Sequence, residues 1–246
     1  MKKLIVLGLC CLFLMSFISA GIFSKFSGQA TLQKKLTPSL DLSSGDAKTL
    51  SFFSLGSKGY TFPYYSNRDI IKKNPSTKMA VIVVHGNGRD ASGYFDSVLM
   101  GAETRGVLGE TLIIAPHFTI SATKTRPEVL YWDGNDGWKI GDKSSNFLKE
   151  RFSSFEVIDL FVNELNDKEK FPSLQEIVII GHSAGGQFVN RYAAGNSVDR
   201  AGKVSMRYVV ANPSSYLYFD SGRVIGNKYV VYKENPFIKT NLFELT

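Results

Sequence analysis

Cysteine and histidine are the scarce residues of this chain. Its 246 residues hold two cysteines and three histidines. Both cysteines, Cys10 and Cys11, stand inside an apolar run over residues 4–17. Beyond that run there is no thiol, which excludes a disulfide, a cysteine nucleophile and a thiolate metal site. An exported chain could use disulfides, but this one would have to hold its fold by packing alone. The histidines, His85, His117 and His182, are far apart and lack metal-ligand spacing, so no zinc site is expected, and no cofactor. No basic run is interleaved with aromatics, so no nucleic-acid partner is expected. Charge is positive overall, with 29 Lys and Arg against 22 Asp and Glu. The basic residues are scattered apart from pairs such as Lys34-Lys35 and Lys72-Lys73, the pattern of a solvated surface. There is no internal repeat and no low-complexity tract.

The N-terminus reads as a leader. Lys2 and Lys3 precede the apolar run, and Ser19-Ala20 follows it. A basic start, an apolar middle and a small residue at the end describe a secretory signal peptide over residues 1–20, cleaved after Ala20. The expected location is therefore secreted or periplasmic. The alternative is an uncleaved anchor, since the run approaches the roughly 20 residues that a membrane span needs. Membrane association is expected only in that case. Leu9 before Cys10 argues against a lipoprotein cysteine. Without Lys2 and Lys3 the excess positive charge falls to five.

Residues 21–48 are polar and mixed, a linker or peripheral segment. From residue 49 onward the pattern is that of one α/β domain. An aromatic, Gly-punctuated stretch over 49–65 predicts an antiparallel hairpin. Four short apolar runs follow, at residues 79–84, 111–115, 177–180 and 208–211. Continuous apolar runs of this length mark parallel strands covered on both faces. Helical spacing appears between them, at 90–104 with Asp90 as cap, at 154–165, and at 184–194 ending in Gly195-Asn196. Strands alternating with helices imply a mostly parallel sheet with helices on both faces. The stretch 119–149 is rich in Gly and Asp and carries both tryptophans, Trp132 and Trp138, which either line a pocket or simply pack.

Two motifs carry chemistry. The run over 176–186 joins a buried strand to Gly181-His182-Ser183-Ala184-Gly185-Gly186, a G-x-S-x-G turn opening a helix. Such a turn presents its serine, here Ser183, as a nucleophile, and Gly181 and Gly185 remove side chains that would crowd it. The backbone N–H of Ala184 then faces the oxygen that becomes negative during acyl transfer. His182 points away from the hydroxyl in turns of this kind and is expected to be structural. The second motif, His85-Gly86-Asn87-Gly88-Arg89-Asp90, follows the strand at 79–84. A backbone donor in this loop, Asn87 first and Gly88 next, would complete the oxyanion hole.

The stretch from Met79 to Tyr218 resembles the secreted serine-hydrolase branch of the α/β-hydrolase superfamily. The resemblance rests on His85-Gly86-Asn87-Gly88, Ala115-Pro116-His117-Phe118, Trp132 with Gly137-Trp138-Lys139-Ile140-Gly141, the Ser183 turn, and Ala211-Asn212-Pro213-Ser214-Ser215. It implies an α/β-hydrolase fold and hydrolysis of a small-molecule ester or acyl substrate through an acyl-Ser183 intermediate, with an amide as the other possibility. One feature departs from the family. Its triad places the acid and then the histidine after the serine. After Ser183 the sequence has Asp199, Asp220, Glu234 and Glu244 but no histidine. Only 35 residues follow Ala211, too few for two more strand–helix units. The expectation is a domain over 49–246, C-terminally truncated, with weak or no turnover and with acid and base unassigned. His85 and His117 are the substitutes within reach as base, and a hydrogen-bonded loop residue is the other reading of His117. A non-catalytic binding protein, or a non-functional remnant that keeps the scaffold, is the rival expectation. Oligomeric state is not legible.

Overall fold

The structure, a computed structural model, describes residues 49–55, 59–120, 128–134, 137–146, 151–196, 198–201, 204–218, 222–225 and 228–231. The expected leader, the segment 21–48, and Asp220, Glu234 and Glu244 lie outside the described residues.

The hairpin expected over 49–65 is β1 (Thr49–Leu55) paired antiparallel with β2 (Tyr60–Ser66). The apolar runs are β3 (Met79–Val84), β4 (Thr111–Pro116), β5 (Glu176–His182) and β6 (Ser205–Ala211). They form one sheet in the order β1-β2-β4-β3-β5-β6. β2 joins β4 antiparallel, and β4, β3, β5 and β6 run parallel. Between them come α1 (Ala91–Thr104), α2 (Ser154–Leu165), α3 (Ala184–Gly195) and the short α4 (Val198–Ala201). Asp90 caps α1 as expected, its carboxylate accepting from the Gly93 amide. Ser153 and Glu156 form a reciprocal capping box at the start of α2, which satisfies two amides that would otherwise lack partners.

Helices cover both faces. Val83, Ile113, Ala115 and Ile180 pack with Ala91, Tyr94, Phe95 and Leu99 of α1. The alternate residues, including Ile82, Ile114, Ile177 and Ile179, pack with α2 and α3. This two-sided burial is why the strands lack polar alternation. Tyr192 of α3 donates to Asp159 of α2 at 2.6 Å, tying the two helices of the larger core together.

Among the described residues of the tail, β7 (Gly222–Ile225) and β8 (Lys228–Val231) form a separate antiparallel pair. Trp132 and Trp138 are both core residues, so packing is the correct reading of the pair. The Trp132 indole donates to the Asp142 carbonyl at 2.8 Å. Trp138 stacks on Phe118 with ring centroids 5.4 Å apart.

Phe161 of α2 is fully buried and meets Phe53, Phe62 and Tyr64 at centroid distances of 5.0, 6.2 and 5.2 Å. It therefore joins the antiparallel hairpin to the parallel core. Phe161→Ala is expected to destabilise the chain by about 3–5 kcal/mol, read as a lowered urea midpoint. A loss below about 1 kcal/mol would show that the hairpin is not part of the same cooperative core.

Candidate active site

The parallel strands end side by side, with Val84 of β3 opposite Gly181 of β5, and His182 opposite Ala211 of β6. The loops that leave these ends therefore meet at one edge of the sheet. Ser183 stands at the turn between β5 and α3 with φ 57° and ψ −119°. That conformation belongs to glycine-dominated turns and is strained for serine.

Steric contacts enforce the turn. A Cβ on Gly181 would lie 2.2 Å from the Gly185 carbonyl oxygen, and one on Gly185 would lie 2.2 Å from that of Val84. Neither position can carry a side chain, which accounts for both glycines of the motif. The loop after β6 completes the clamp: the Ser183 amide donates to the Ala211 carbonyl at 3.0 Å, and the Ser183 carbonyl accepts from Gln187 and Ser214. The Ser183 hydroxyl is not used to cap α3. It is half-buried and accessible, and makes no hydrogen bond among the described residues.

Ala184 is buried in the first turn of α3, where its amide has no intrahelical acceptor. Asn87 and Gly88 are exposed at the tip of the loop after β3. That loop is a turn closed by the Arg89 amide on the Gly86 carbonyl at 3.0 Å, with Arg89 at φ 56°. Among the described residues neither the Asn87 nor the Gly88 amide donates to a protein acceptor. Open donors therefore stand at the ends of two adjacent parallel strands.

The histidines are placed as scaffold. His85 is fully buried. Its Nδ1 lies 2.9 Å from the Gly86 carbonyl and its Nε2 accepts from the Phe118 amide at 3.1 Å. With both nitrogens committed it cannot take a proton from Ser183. Burial pushes its pKa down to about 3, outweighing the Gly86 bond, so it is neutral at physiological pH. His117 is likewise pushed down by burial, and its ring bonds the Arg89 backbone. This is the hydrogen-bonded loop role. The Nδ1 of His182 lies 3.3 Å from the Tyr94 hydroxyl, consistent with a ring turned toward α1. Asp199 sits in α4, beyond the C-terminal end of α3. A 12-residue helix, about 18 Å long, separates it from Ser183, so it is not the acid.

Three residues near the site were not singled out by sequence reasoning. Arg89 donates to the carbonyls of Phe118 and Gly134 at 2.7 and 2.6 Å and lies over the Trp138 ring, binding the loop after β3 to the tryptophan-bearing stretch. Lys139 is buried, with its amine 3.5 Å from the Asn87 side chain. Tyr94 lies one turn into α1 and reaches back to the loop. Only its spacing from the Asp90 cap could have signalled this.

The buried neutral state of His85 makes stability pH-dependent. Its folded pKa is about 3 against an ordinary 6.5, so between these values the unfolded chain binds the extra proton. The contribution is complete above pH 6.5 and is lost progressively as pH falls toward 3, by up to about 1.4 kcal/mol per pH unit. His117, shifted the same way, adds to it. The expected result is a melting temperature that drops between pH 6.5 and 4, and a shallower drop in His85→Asn. Equal slopes in the two proteins would refute this.

No protein-family model matches the sequence, and no curated protein does. Solved structures of low identity are similar. Poly(aspartic acid) hydrolase-1 from Sphingomonas sp. KT-1 is 23% identical with a TM-score of 0.49, over 71% of this chain and 59% of that one. A poly(3-hydroxybutyrate) depolymerase from Bordetella parapertussis is 20% identical with a TM-score of 0.42, over 61% and 47%. An acetyl xylan esterase from Aspergillus awamori is 16% identical with a TM-score of 0.37, over 59% and 47%. The chain thus matches about half the length of each. At these scores the fold assignment rests on the chain's own features. The sheet order, the two-sided helical cover and the strand–serine–helix turn at Ser183 together make this an α/β-hydrolase fold.

Proposed function

We propose that this chain is a serine hydrolase of carboxylic esters, with amides as the secondary class, acting through an acyl-Ser183 intermediate. The observation that carries the reading is Ser183 itself: a strained serine at a strand-to-helix turn, with its hydroxyl accessible and unused. In the proposed reaction the Ser183 oxygen attacks the ester carbonyl. The amides of Ala184 and Asn87, with Gly88 beside it, hold the negative oxygen of the tetrahedral intermediate. Collapse expels the alcohol and leaves the acyl group on Ser183. Water then releases the acid and restores the serine. That the solved structures of similar fold are named as hydrolases and esterases agrees with this reading and does not carry it.

Proton transfer limits the rate. All three histidines lie among the described residues, and none hydrogen-bonds Ser183. An oxyanion hole without its base retains only part of a triad's acceleration. The proposed turnover of this chain alone is accordingly far below the roughly 1–1000 per second common among enzymes. The N-terminal pattern extends the proposal to an exported protein. The same histidine placement favours one second reading, a binding protein that keeps the hydrolase scaffold and holds an acyl compound without turning it over.

A fluorophosphonate probe separates the two. Incubation with the purified chain beside Ser183→Ala, read by intact mass, is expected to show slow labelling that the variant abolishes. A folded chain labelled no faster than the variant would leave the binding reading. Ester turnover above 1 per second would contradict the proposed weak rate.

A further inference from the structure

The Tyr94 hydroxyl of α1 lies between the loop after β3 and the turn that carries Ser183. It lies 3.3 Å from Nδ1 of His182, the residue before the nucleophile. The Gly86 backbone packs directly against the same oxygen, and its hydrogen bonding there pulls the phenol pKa down against the larger rise caused by burial. Gly86 is the residue before Asn87. One hydroxyl therefore stands between the oxyanion-side loop and the nucleophile turn. It is held by a side chain that is itself packed with Phe95, Leu99 and Val83 in the smaller core.

We infer that Tyr94 is a positioning residue that sets the distance between the Asn87–Gly88 amides and Ser183. This rests on the serine-hydrolase reading above. Tyr94 touches no reacting atom. It acts through Gly86 on one side and His182 on the other. The fit is close: a Cβ on Gly86 would lie 2.7 Å from the Tyr94 oxygen, while its other close neighbours stand at 3.5 Å or more. Gly86 does not take a positive φ, so the Tyr94 hydroxyl is what a methyl at this position would strike. Loss of the hydroxyl frees the loop to drift. Gain of a methyl on Gly86 pushes it outward against Tyr94.

The test is a double-substitution cycle in the full chain with Tyr94→Phe, Gly86→Ala and both together. The readouts are the maximal fluorophosphonate labelling rate, the probe concentration giving half that rate, and the backbone amide NMR shifts of Asn87 and Gly88. Tyr94→Phe is expected to slow maximal labelling about ten- to a hundredfold, as small displacements in an oriented site do. The half-saturating concentration and the thermal midpoint should stay near the parent values, a split that a general loss of stability would not give. Gly86→Ala is expected to slow labelling as well. Adding Tyr94→Phe to Gly86→Ala should raise its rate, because removing the hydroxyl clears the clash. Parent-like labelling by Tyr94→Phe, or a double variant at the product of the two single effects, would overturn the inference. If the parent chain does not label at Ser183, the hydrolase reading fails by itself. The amide shifts then decide: movement of the Asn87 and Gly88 resonances in Tyr94→Phe supports the strut, and unchanged resonances overturn it.

Discussion

The close approach of backbone to backbone at the ends of β3 and β5 is the constraint on which the rest of the site depends. Gly185 sits so near the carbonyls of Val84 and His85, and Gly181 so near Gly185, that α3 lies directly against the sheet edge. Parallel pairing of β3 with β5 and of β5 with β6 fixes where those edges are. The loop after β6 then reaches both the amide and the carbonyl of Ser183. Four segments thus hold one residue, and its unfavourable φ is maintained by contacts made elsewhere in the fold. The arrangement follows from apolar strands forced into parallel register, which places every strand-to-helix turn on the same side.

Around this clamp the polar side chains work as ties. His85 bridges Gly86 and the Phe118 amide, the His117 ring bonds Arg89, and Arg89 bridges Phe118 and Gly134. Each tie runs between the loop after β3 and the segment after β4. A loop that exposes amides at its tip needs such ties, because those amides give it no internal hydrogen bonds there. Burial keeps His85 neutral, so it can accept from one backbone group and donate to another. A protonated ring could only donate. His85 is therefore used where a neutral two-sided hydrogen-bonding group is needed, and the burial that suits it to that role unsuits it as a base.

Much of this architecture was legible in the sequence because it depends on short-range pattern. Runs such as Met79–Val84 and Thr111–Pro116 are apolar on both alternations, which only a two-sided sheet permits, and Asp90 announced α1. Gly181, Ser183 and Gly185 were readable because their spacing reflects a local steric need. What escaped depended on partners distant in sequence. Trp138 could not be read as core because Phe118, Phe188 and His85 reach it from three separate segments. Strand β7 carries only Val224 and Ile225 as apolar residues, too few to stand out without its mate. The role of Arg89 is fixed by two carbonyls, which leave no trace in side-chain pattern, and that of Tyr94 by Gly86 and the His182 ring, the latter 88 residues away.

The identity of the residue at the turn bears on the two functional readings. At φ 57° and ψ −119° glycine is unstrained, whereas a residue with a Cβ is penalised by roughly 1–3 kcal/mol. A scaffold that needed only the tight turn would be more stable with glycine at 183, and the two neighbouring glycines show that this segment accepts glycine wherever sterics demand it. Serine there brings strain in exchange for a hydroxyl, and that hydroxyl neither caps α3 nor bonds any described neighbour. A hydroxyl without a hydrogen bond among the described residues, at a position that disfavours its residue, is accounted for by chemistry with a molecule outside the chain. This weighs toward the hydrolase reading over a binding scaffold, even with every histidine engaged elsewhere.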